Sequence, residues 1–174
     1  MNHFLVVVDM QRDFVNGSLG TAEAESIIPQ AVEKIRSFDG EIFATYDTHF
    51  DDYLDSAEGK KLPVKHCIRN TPGWELDDRI AEALKGKPVT RVEKYTFGSD
   101  KLPELIYRTA EEDDFSVELI GLCTDICVIS NALLLKASFP ERPISVDAGC
   151  CAGVTPELHE AALKVMKSCQ IDVL

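Results

Sequence analysis

The chain has 174 residues, a length that suits one domain with a sizeable hydrophobic core. Its composition, 45% hydrophobic and 28% charged, is that of an ordinary globular protein. The 18 basic and 30 acidic residues give a formal net charge of −12, which argues against nucleic acid or an anionic membrane as a partner. Because no apolar run approaches the roughly 20 residues of a membrane span and no signal-peptide core is recognisable, we expect a cytoplasmic protein.

The first half of the chain alternates between strand and helix patterns. Residues 3–9 (HFLVVVD) form a continuous apolar run that ends in Asp9, typical of a central parallel strand buried on both faces. Residues 26–38 place their apolar side chains on one stripe of a helix. Residues 41–47 predict a second strand, which ends in Asp47.

A long polar segment, residues 48–73, follows the second strand. It contains Gly and Pro but little periodicity, so it predicts a loop, and long loops in compact domains usually serve a function. Residues 74–84 and 101–110 predict helices on either side of a third strand at residues 88–94. The acidic residues 111–114 predict a solvated turn.

The second half of the chain repeats the alternation. One helix is well signalled, with Thr155 as its N-cap and Pro156 at its first position. The predicted strands cover residues 115–122, 142–148 and 171–174, and the predicted helices cover residues 124–137 and 155–169.

Strands that alternate with helices predict a parallel sheet with helices on both faces, because each parallel crossover needs a helix. We therefore predict a single α/β domain over residues 1–174, with three α/β/α layers and a six-stranded parallel sheet of Rossmann-like type. In such folds the active site lies beyond the carboxyl ends of the strands, where the strand order reverses.

Chemically reactive residues follow the predicted strand ends. The first three strands end in Asp9, Asp47 and Lys94, and the fourth leads into GLCTDICV, which contains Cys123 and Cys127. This C-x3-C spacing is compatible with a metal clip, with a redox pair, or with one reactive thiol beside an inert one.

Of the two thiols, Cys127 is better placed to be the nucleophile. It lies in the first turn of the helix predicted from Thr124, where unpaired amides and the helix dipole favour a negative charge. We expect the dipole and Lys94 to lower the pKa of this thiol, and Asp9 to take and return its proton. Taken singly, the same aspartate is as well explained as a helix N-cap and the lysine as a solvated charge.

The other cysteines need no special chemistry. A chain of this length with a good core and no signal peptide is expected to keep its thiols reduced, and most free cysteines are small buried hydrophobic residues. The sequence has six cysteines, namely Cys67, Cys123, Cys127, Cys150, Cys151 and Cys169.

Three segments resemble a known family. VVDMQRDF (7–14), VEKYTFGS (92–99) and GLCTDICV (121–128) resemble the three signature segments of the isochorismatase-like cysteine hydrolases. They occur in the family order, and the resemblance covers nearly the whole chain. Each motif alone is weak, but the three together are specific.

The resemblance implies a set of catalytic roles. The catalytic triad of the family maps onto Asp9, Lys94 and Cys127. Its non-proline cis peptide bond maps onto Leu122–Cys123. The backbone amides of Cys123 and Cys127 would then form an oxyanion hole.

A metal site distinguishes one branch of the family. Asp47 ends the predicted second strand and forms a D-x-H pattern with His49, and His66 follows, which predicts a metal-binding loop at about 47–73. Carboxylate with imidazole suits Zn²⁺, Mn²⁺ or Fe²⁺. The pattern resembles the metal site of nicotinamidases, although two loop histidines are also compatible with ordinary polar residues. We expect Glu58 as the remaining ligand, with Asp55 as the alternative, and one divalent ion, zinc before manganese or iron.

The substrate pocket is the least defined part of the predicted site. The family often carries an aromatic residue just before the second histidine, where this chain has Leu62 and Pro63. We therefore predict a pocket formed by Phe14, Trp74 and Leu122.

The resemblance implies a nicotinamidase-type enzyme, which converts nicotinamide and water to nicotinate and ammonia through a cysteine thioester, in NAD salvage. We expect a small-molecule amide as the partner, neither nucleic acid nor membrane, and a homo-oligomer. One alternative is another hydrolase of the family, acting on a different amide or an enol ether, with or without a metal ion. A remote alternative is a receiver-like signalling module, which would need a phosphorylated aspartate where the third strand here ends in Lys94.

Overall fold

The computed structural model of the protein describes residues 2–111 and 114–174, so residues 112–113 of the predicted acidic turn lie outside it. The strands are β1 (Asn2–Val8), β2 (Glu41–Asp47), β3 (Val89–Lys94), β4 (Phe115–Leu122), β5 (Ile144–Ala152) and β6 (Asp172–Val173). They form one sheet in the order β3-β2-β1-β4-β5-β6, and every neighbouring pair is parallel. The predicted six-stranded parallel sheet is confirmed.

The helices cover both faces of this sheet. They are α1 (Arg12–Val15), α2 (Ala22–Ser26), α3 (Ile28–Ser37), α4 (Ala57–Lys61), α5 (Asp78–Leu84), α6 (Leu102–Ala110), α7 (Ile129–Ser138) and α8 (Pro156–Ser168). Short 3₁₀ turns at Tyr53–Asp55 and Pro72–Trp74 and a π-helical turn at Thr124–Val128 complete the regular structure. In the described part of the chain, no helix combines the length and the hydrophobicity that a bilayer crossing requires.

The core explains why β1 is the central strand. Residues 4–8 are all buried, and successive side chains of a strand point to opposite faces. One face packs Val6 and Val8 with residues of α6, α7 and α8, and the other packs Leu5 and Val7 with residues of α3 and α5. An uninterrupted apolar run is therefore what a strand between two helical layers requires.

The strand order reverses between β1 and β4, because β2 and β3 extend the sheet on one side of β1 and β4 to β6 on the other. At the carboxyl end of this pair, Val8 lies opposite Gly121. Gly121 has φ +124°, and a Cβ there would overlap the carbonyl oxygen of Val8. A glycine is needed for the two backbones to approach this closely, immediately before the residues predicted to react.

Several element boundaries differ from the sequence predictions. The helix predicted from residue 74 begins at Asp78, because Asp77 caps it and the preceding residues form the 3₁₀ turn that buries Trp74. The predicted loop contains α4, which Ser56 caps by accepting a hydrogen bond from the amide of Gly59. The predicted N-cap of α8 is confirmed, since the Thr155 side chain accepts a hydrogen bond from the Leu158 amide.

Candidate active site

The first strand places its terminal carboxylate at the reversal point of the sheet. Asp9 follows β1, is fully buried and has φ +47°. Its Oδ1 accepts a hydrogen bond of 2.6 Å from the Thr45 hydroxyl, and its amide donates to the same hydroxyl oxygen at 3.1 Å. Its Oδ2 lies 2.6 Å from Lys94 Nζ but has no well-aligned hydrogen bond among the described residues. This oxygen is thus paired with the charge of the lysine.

Lys94 is the centre of the buried charged group. Its Nζ lies 3.4 Å from Asp47 Oδ1 and 3.4 Å from Cys127 Sγ, and it donates to the Thr96 carbonyl at 3.1 Å. Burial lowers the pKa of Lys94, but the charges of Asp9, of Cys127 when it is a thiolate, and of Asp47 outweigh it and hold that pKa well above its usual range. The lysine is therefore a permanent cation in contact with the thiol.

The prediction that the pKa of the Cys127 thiol is lowered is wrong. Cys127 is 4% exposed, and burial, followed by the charge of Asp9, raises the pKa of its thiol well above the usual range, although Lys94 opposes this. Burial likewise raises the pKa of Asp9 against the opposing charge of Lys94. Both shifts favour the protonated form, so Cys127 is a thiol in this setting, and the Asp9 carboxyl lies beside it.

The backbone before the thiol has the shape that the resemblance implied. The Leu122–Cys123 peptide bond is cis, and Cys123 precedes the π-helical turn that contains Cys127. The amides of Ile126 and Val128 both donate to the Cys123 carbonyl, at 3.0 and 3.1 Å. The turn is therefore closed on Cys123, so one predicted oxyanion-hole residue caps the turn and the other, Cys127, lies within it.

The four predicted metal ligands lie together. One ligand atom from each of Asp47, His49, Glu58 and His66 lies within 4.8 Å of all the others. His49 Nε2 and His66 Nε2 lie 3.0 and 3.5 Å from Asp47 Oδ2, and each lies 3.6 Å from Glu58 Oε1. Asp55 is outside this group and is exposed at the end of a 3₁₀ turn. The geometry therefore favours Glu58 over Asp55.

The side chains around this group fit a transition metal ion. Two imidazoles and two carboxylates are ligands that Zn²⁺, Mn²⁺ and Fe²⁺ accept. His66 Nδ1 lies 2.8 Å from the Val64 carbonyl, which favours a proton on Nδ1 and leaves Nε2 free to coordinate. The Tyr53 ring packs against the imidazoles of His49 and His66, with centroid distances of 4.6 and 5.0 Å.

Gln11 and Tyr53 were not predicted from the sequence. The Gln11 side chain donates to the carbonyls of Asp47 and Trp74 and accepts from the Asp47 amide, each at 2.8 Å. It thereby holds the end of β2 in place. Gln11 could have been predicted, because it lies two residues after Asp9 in the first motif. No sequence pattern indicated Tyr53.

A cavity of about 220 Å³ opens onto both groups. Phe14 lines it, as predicted. Trp74 and Leu122 do not, which corrects two of the three predicted pocket residues. Trp74 packs on the Tyr46 ring, and Leu122 is fully buried in the core. The lining consists of Phe14, Leu19, Thr21, Asp47, Glu58, Leu62, His66, Phe97, Cys123, Ile126, Cys127 and Val154.

Comparisons with known proteins give a family and several relatives. The Isochorismatase domain model matches residues 3–174. A nicotinamidase of Schizosaccharomyces pombe is 26% identical over 208 residues, covering 98% of this chain and 91% of that protein. The nicotinamidase/pyrazinamidase of Bacillus subtilis superposes with a TM-score of 0.86 at 28% identity, covering 99% of both chains. The zinc complex of the Pyrococcus horikoshii pyrazinamidase superposes with a TM-score of 0.80 at 28% identity, covering 100% of this chain and 99% of that one.

Proposed function

The chain belongs to the isochorismatase family, and we propose that it is a metal-dependent nicotinamidase, which hydrolyses nicotinamide to nicotinate and ammonia. The family match and the nicotinamidase relatives make the protein an amide hydrolase. The choice of nicotinamide, of the thioester route and of zinc is our proposal.

One observation carries the proposal, namely the position of Asp47 between the two groups of the site. Its Oδ1 lies 3.4 Å from Lys94 Nζ, while its Oδ2 lies 3.0 Å from His49 and 3.5 Å from His66. A single carboxylate thus joins the thiol, lysine and acid to the candidate metal ligands. An enzyme that only attacks its substrate with a thiol does not need metal ligands beside that thiol. An enzyme that holds one end of the substrate on an ion and attacks the other end does need them.

The cavity supports a small, flat substrate. Its volume is about 220 Å³, and most of its lining is apolar, with Phe14 and Phe97 among the walls. Polar groups concentrate at the end formed by Asp47, Glu58 and His66. A bound ion would supply Lewis acidity that anchors an electron-rich ring nitrogen, and Asp47, His49, Glu58 and His66 would hold that ion.

In the first half of the proposed reaction, the Cys127 thiol gives its proton to Asp9 as its sulfur bonds to the amide carbon. The backbone amides of Cys123 and Cys127 donate to the resulting oxyanion, and each such donor is worth roughly 3 kcal/mol. Asp9 then returns the proton to the departing nitrogen. The carbon–nitrogen bond breaks, ammonia leaves, and a thioester remains.

In the second half, Asp9 takes a proton from water, and the water oxygen attacks the thioester carbon. The carbon–sulfur bond breaks, the thiolate regains a proton from Asp9, and the carboxylic acid is released. Throughout, Lys94 holds Asp9 at 2.6 Å and stabilises whichever of the two groups is the anion. The raised pKa values of Asp9 and Cys127 suit groups that exchange one proton.

An ammonia-release assay tests this function. We expect the protein to release ammonia from nicotinamide, to lose this activity after exhaustive treatment with a chelator and to regain it with zinc. Activity that survives complete metal removal would favour a metal-free hydrolase of the same family, acting on another amide or on an enol ether. Benzamide, which lacks the ring nitrogen, is the matched control substrate and is expected to react far more slowly.

A further inference from the structure

We propose that Asp13 is a positioning residue for the metal ligand His66. The inference extends the proposed function, and it rests on the four-ligand group named there. Asp13 itself is none of those ligands, and it does not line the cavity.

The Asp13 carboxylate holds the backbone directly behind His66. Its Oδ2 accepts a hydrogen bond of 2.8 Å from the amide of Cys67. Cys67 is fully buried and has φ +47°, a left-handed conformation that L-residues adopt uncommonly. A buried amide in such a turn needs an acceptor, and the side chain of Asp13, 54 positions earlier, supplies it.

The same turn also fixes the other histidine. The Cys67 carbonyl accepts a hydrogen bond of 2.9 Å from the His49 amide, and the His49 carbonyl accepts one of 2.8 Å from the Arg69 amide. These bonds form the parallel bridge between His49 and Ile68. The backbones of the two imidazole ligands are therefore tied to each other, and Asp13 ties the pair to α1.

Two glycines leave room for the carboxylate. A Cβ at Gly73 would overlap the Cγ and both oxygens of Asp13, and a Cβ at Gly17 would overlap its Oδ1. The carboxylate therefore occupies a space between two chain segments that only glycine keeps open. Its position is set from three sides, by Gly17, Gly73 and the Cys67 amide.

The residue after Asp13 completes the arrangement. The Phe14 ring lies 5.5 Å from the His66 ring, between centroids, and lines the cavity. Asp13 thus holds the backbone of His66 while its neighbour packs against the imidazole. Loss of the carboxylate would free the turn that holds His66 Nε2 in place. Removing a residue that supports a metal ligand in this way lowers metal affinity by roughly tenfold to a hundredfold.

Zinc affinity, measured by competition with a chromophoric chelator well below the melting temperature, tests this role without using activity. We expect Asp13→Ala to bind zinc roughly ten- to a hundredfold more weakly than the wild type. Gly73→Ala should weaken zinc binding in the same direction, because the added methyl group pushes the carboxylate away from Cys67. Asp13→Asn keeps an acceptor oxygen and should recover most of the affinity.

Two controls separate positioning from general stability. Ile35→Val removes one buried methylene from the remote helix α3, which lowers stability, and should keep wild-type zinc affinity. Gly149→Ala is the matched glycine control, since its Cβ would meet only Asp147 Oδ1, at 3.4 Å. The proposal is overturned if Asp13→Ala keeps wild-type zinc affinity. It is also overturned if Asp13→Asn loses as much affinity as Asp13→Ala, or if Ile35→Val does. A wild-type protein that binds no zinc would overturn it as well, whereas the proposed function is judged separately, from nicotinamide hydrolysis by the wild type.

Discussion

Two lysines in this protein are each held by two carboxylates, and only one of them belongs to the candidate active site. Lys94 Nζ lies 2.6 Å from Asp9 and 3.4 Å from Asp47. Lys34 Nζ, on α3, lies 2.6 Å from Glu118 and 2.8 Å from Asp147. Each group also has a cysteine beside it, Cys127 in the first and Cys150 in the second.

The two groups differ in where the sheet places them. The Lys94 group collects residues from the carboxyl ends of four strands at the reversal point. In the Lys34 group, Glu118 lies in the middle of β4, and α3 supplies the lysine across one face of the sheet. The cavity beside Lys34, about 490 Å³, is larger than the one beside Cys127, about 220 Å³, so cavity size does not identify the site.

The chemistry of the two groups differs as well. The Lys34 ammonium is shared by two close carboxylates, whereas Lys94 has one close carboxylate and a thiol at 3.4 Å. Burial and the charge of Asp147 raise the pKa of Cys150 to about 12, and none of the four candidate metal ligands lies in this group. An acid, a lysine and a cysteine together do not identify the candidate site, which is distinguished by its position at the strand ends and by the four candidate metal ligands.

The largest expected effect is on kcat/KM and distinguishes the two cysteines, Cys127 and Cys150. Cys127→Ala should lower kcat/KM by roughly 10⁴-fold or more, because it removes the proposed nucleophile, while Cys150→Ala should keep wild-type kinetics. Both are measured by ammonia release, with circular dichroism melting to show that each variant is folded. A loss in Cys150→Ala comparable to that in Cys127→Ala would remove the distinction between the two groups.

The next effect concerns the two lysines. Lys94→Ala should lower kcat by roughly 10²–10³-fold, the cost of removing one electrostatic contact in a buried site. It should also destabilise the protein by about 3–5 kcal/mol, because Asp9 would be left as an unpaired buried charge. Lys34→Ala should keep kcat and lose only about 1 kcal/mol, since its ion pairs are partly exposed. Urea unfolding and steady-state kinetics on the same preparations measure both quantities.

A smaller effect concerns zinc binding and the two candidates for the remaining metal ligand, Glu58 and Asp55. Glu58→Ala should weaken zinc binding at least roughly tenfold, whereas Asp55→Ala should change it less than about twofold, because only Glu58 lies with the other three ligands. Elemental analysis after dialysis against a limiting chelator compares the two variants. The reverse order would move the fourth ligand to position 55.

Residues at strand ends could be predicted from the sequence because the fold determines where they meet. Once residues 3–9 are interpreted as a buried parallel strand, Asp9 must lie at the same edge of the sheet as the residues that follow β4. Lys94 is predictable for the same reason. Lys34 has no comparable signal, because its carboxylate partners come from β4 and β5 and no spacing relates them to α3.

Other features depend on packing that a linear pattern does not contain. Trp74 is aromatic and near the predicted site, yet its ring lies under Arg91, whose Cζ is 4.1 Å from the ring centroid, and its Nε1 donates to Thr48. Phe97 and Val154 line the cavity from two loops whose paths the sequence did not predict. The direction of the Cys127 pKa shift differs from the prediction, because it depends on the burial of the thiol and on the summed charges around it.

The smallest effect concerns stability in acid and belongs to the Lys34 group alone. Burial raises the pKa of Asp147, but the hydrogen bond and charge of Lys34 outweigh it and hold that pKa below its usual value. A carboxyl group whose pKa is lowered by folding stabilises the protein above its unfolded pKa of about 4, and that contribution is lost as the pH falls through the folded value.

Asp147→Asn should therefore lower the free energy of unfolding by less than about 1 kcal/mol at pH 7, and the difference from wild type should shrink towards zero below about pH 4. Urea unfolding at pH 7, 5 and 3 measures it, with Asp172→Asn at an exposed position of β6 as the control. Nicotinamide hydrolysis should be unchanged in both variants. A stability difference that persists undiminished at pH 3 would mean that Asp147 acts through packing, and a loss of activity would mean that the Lys34 group is coupled to the site.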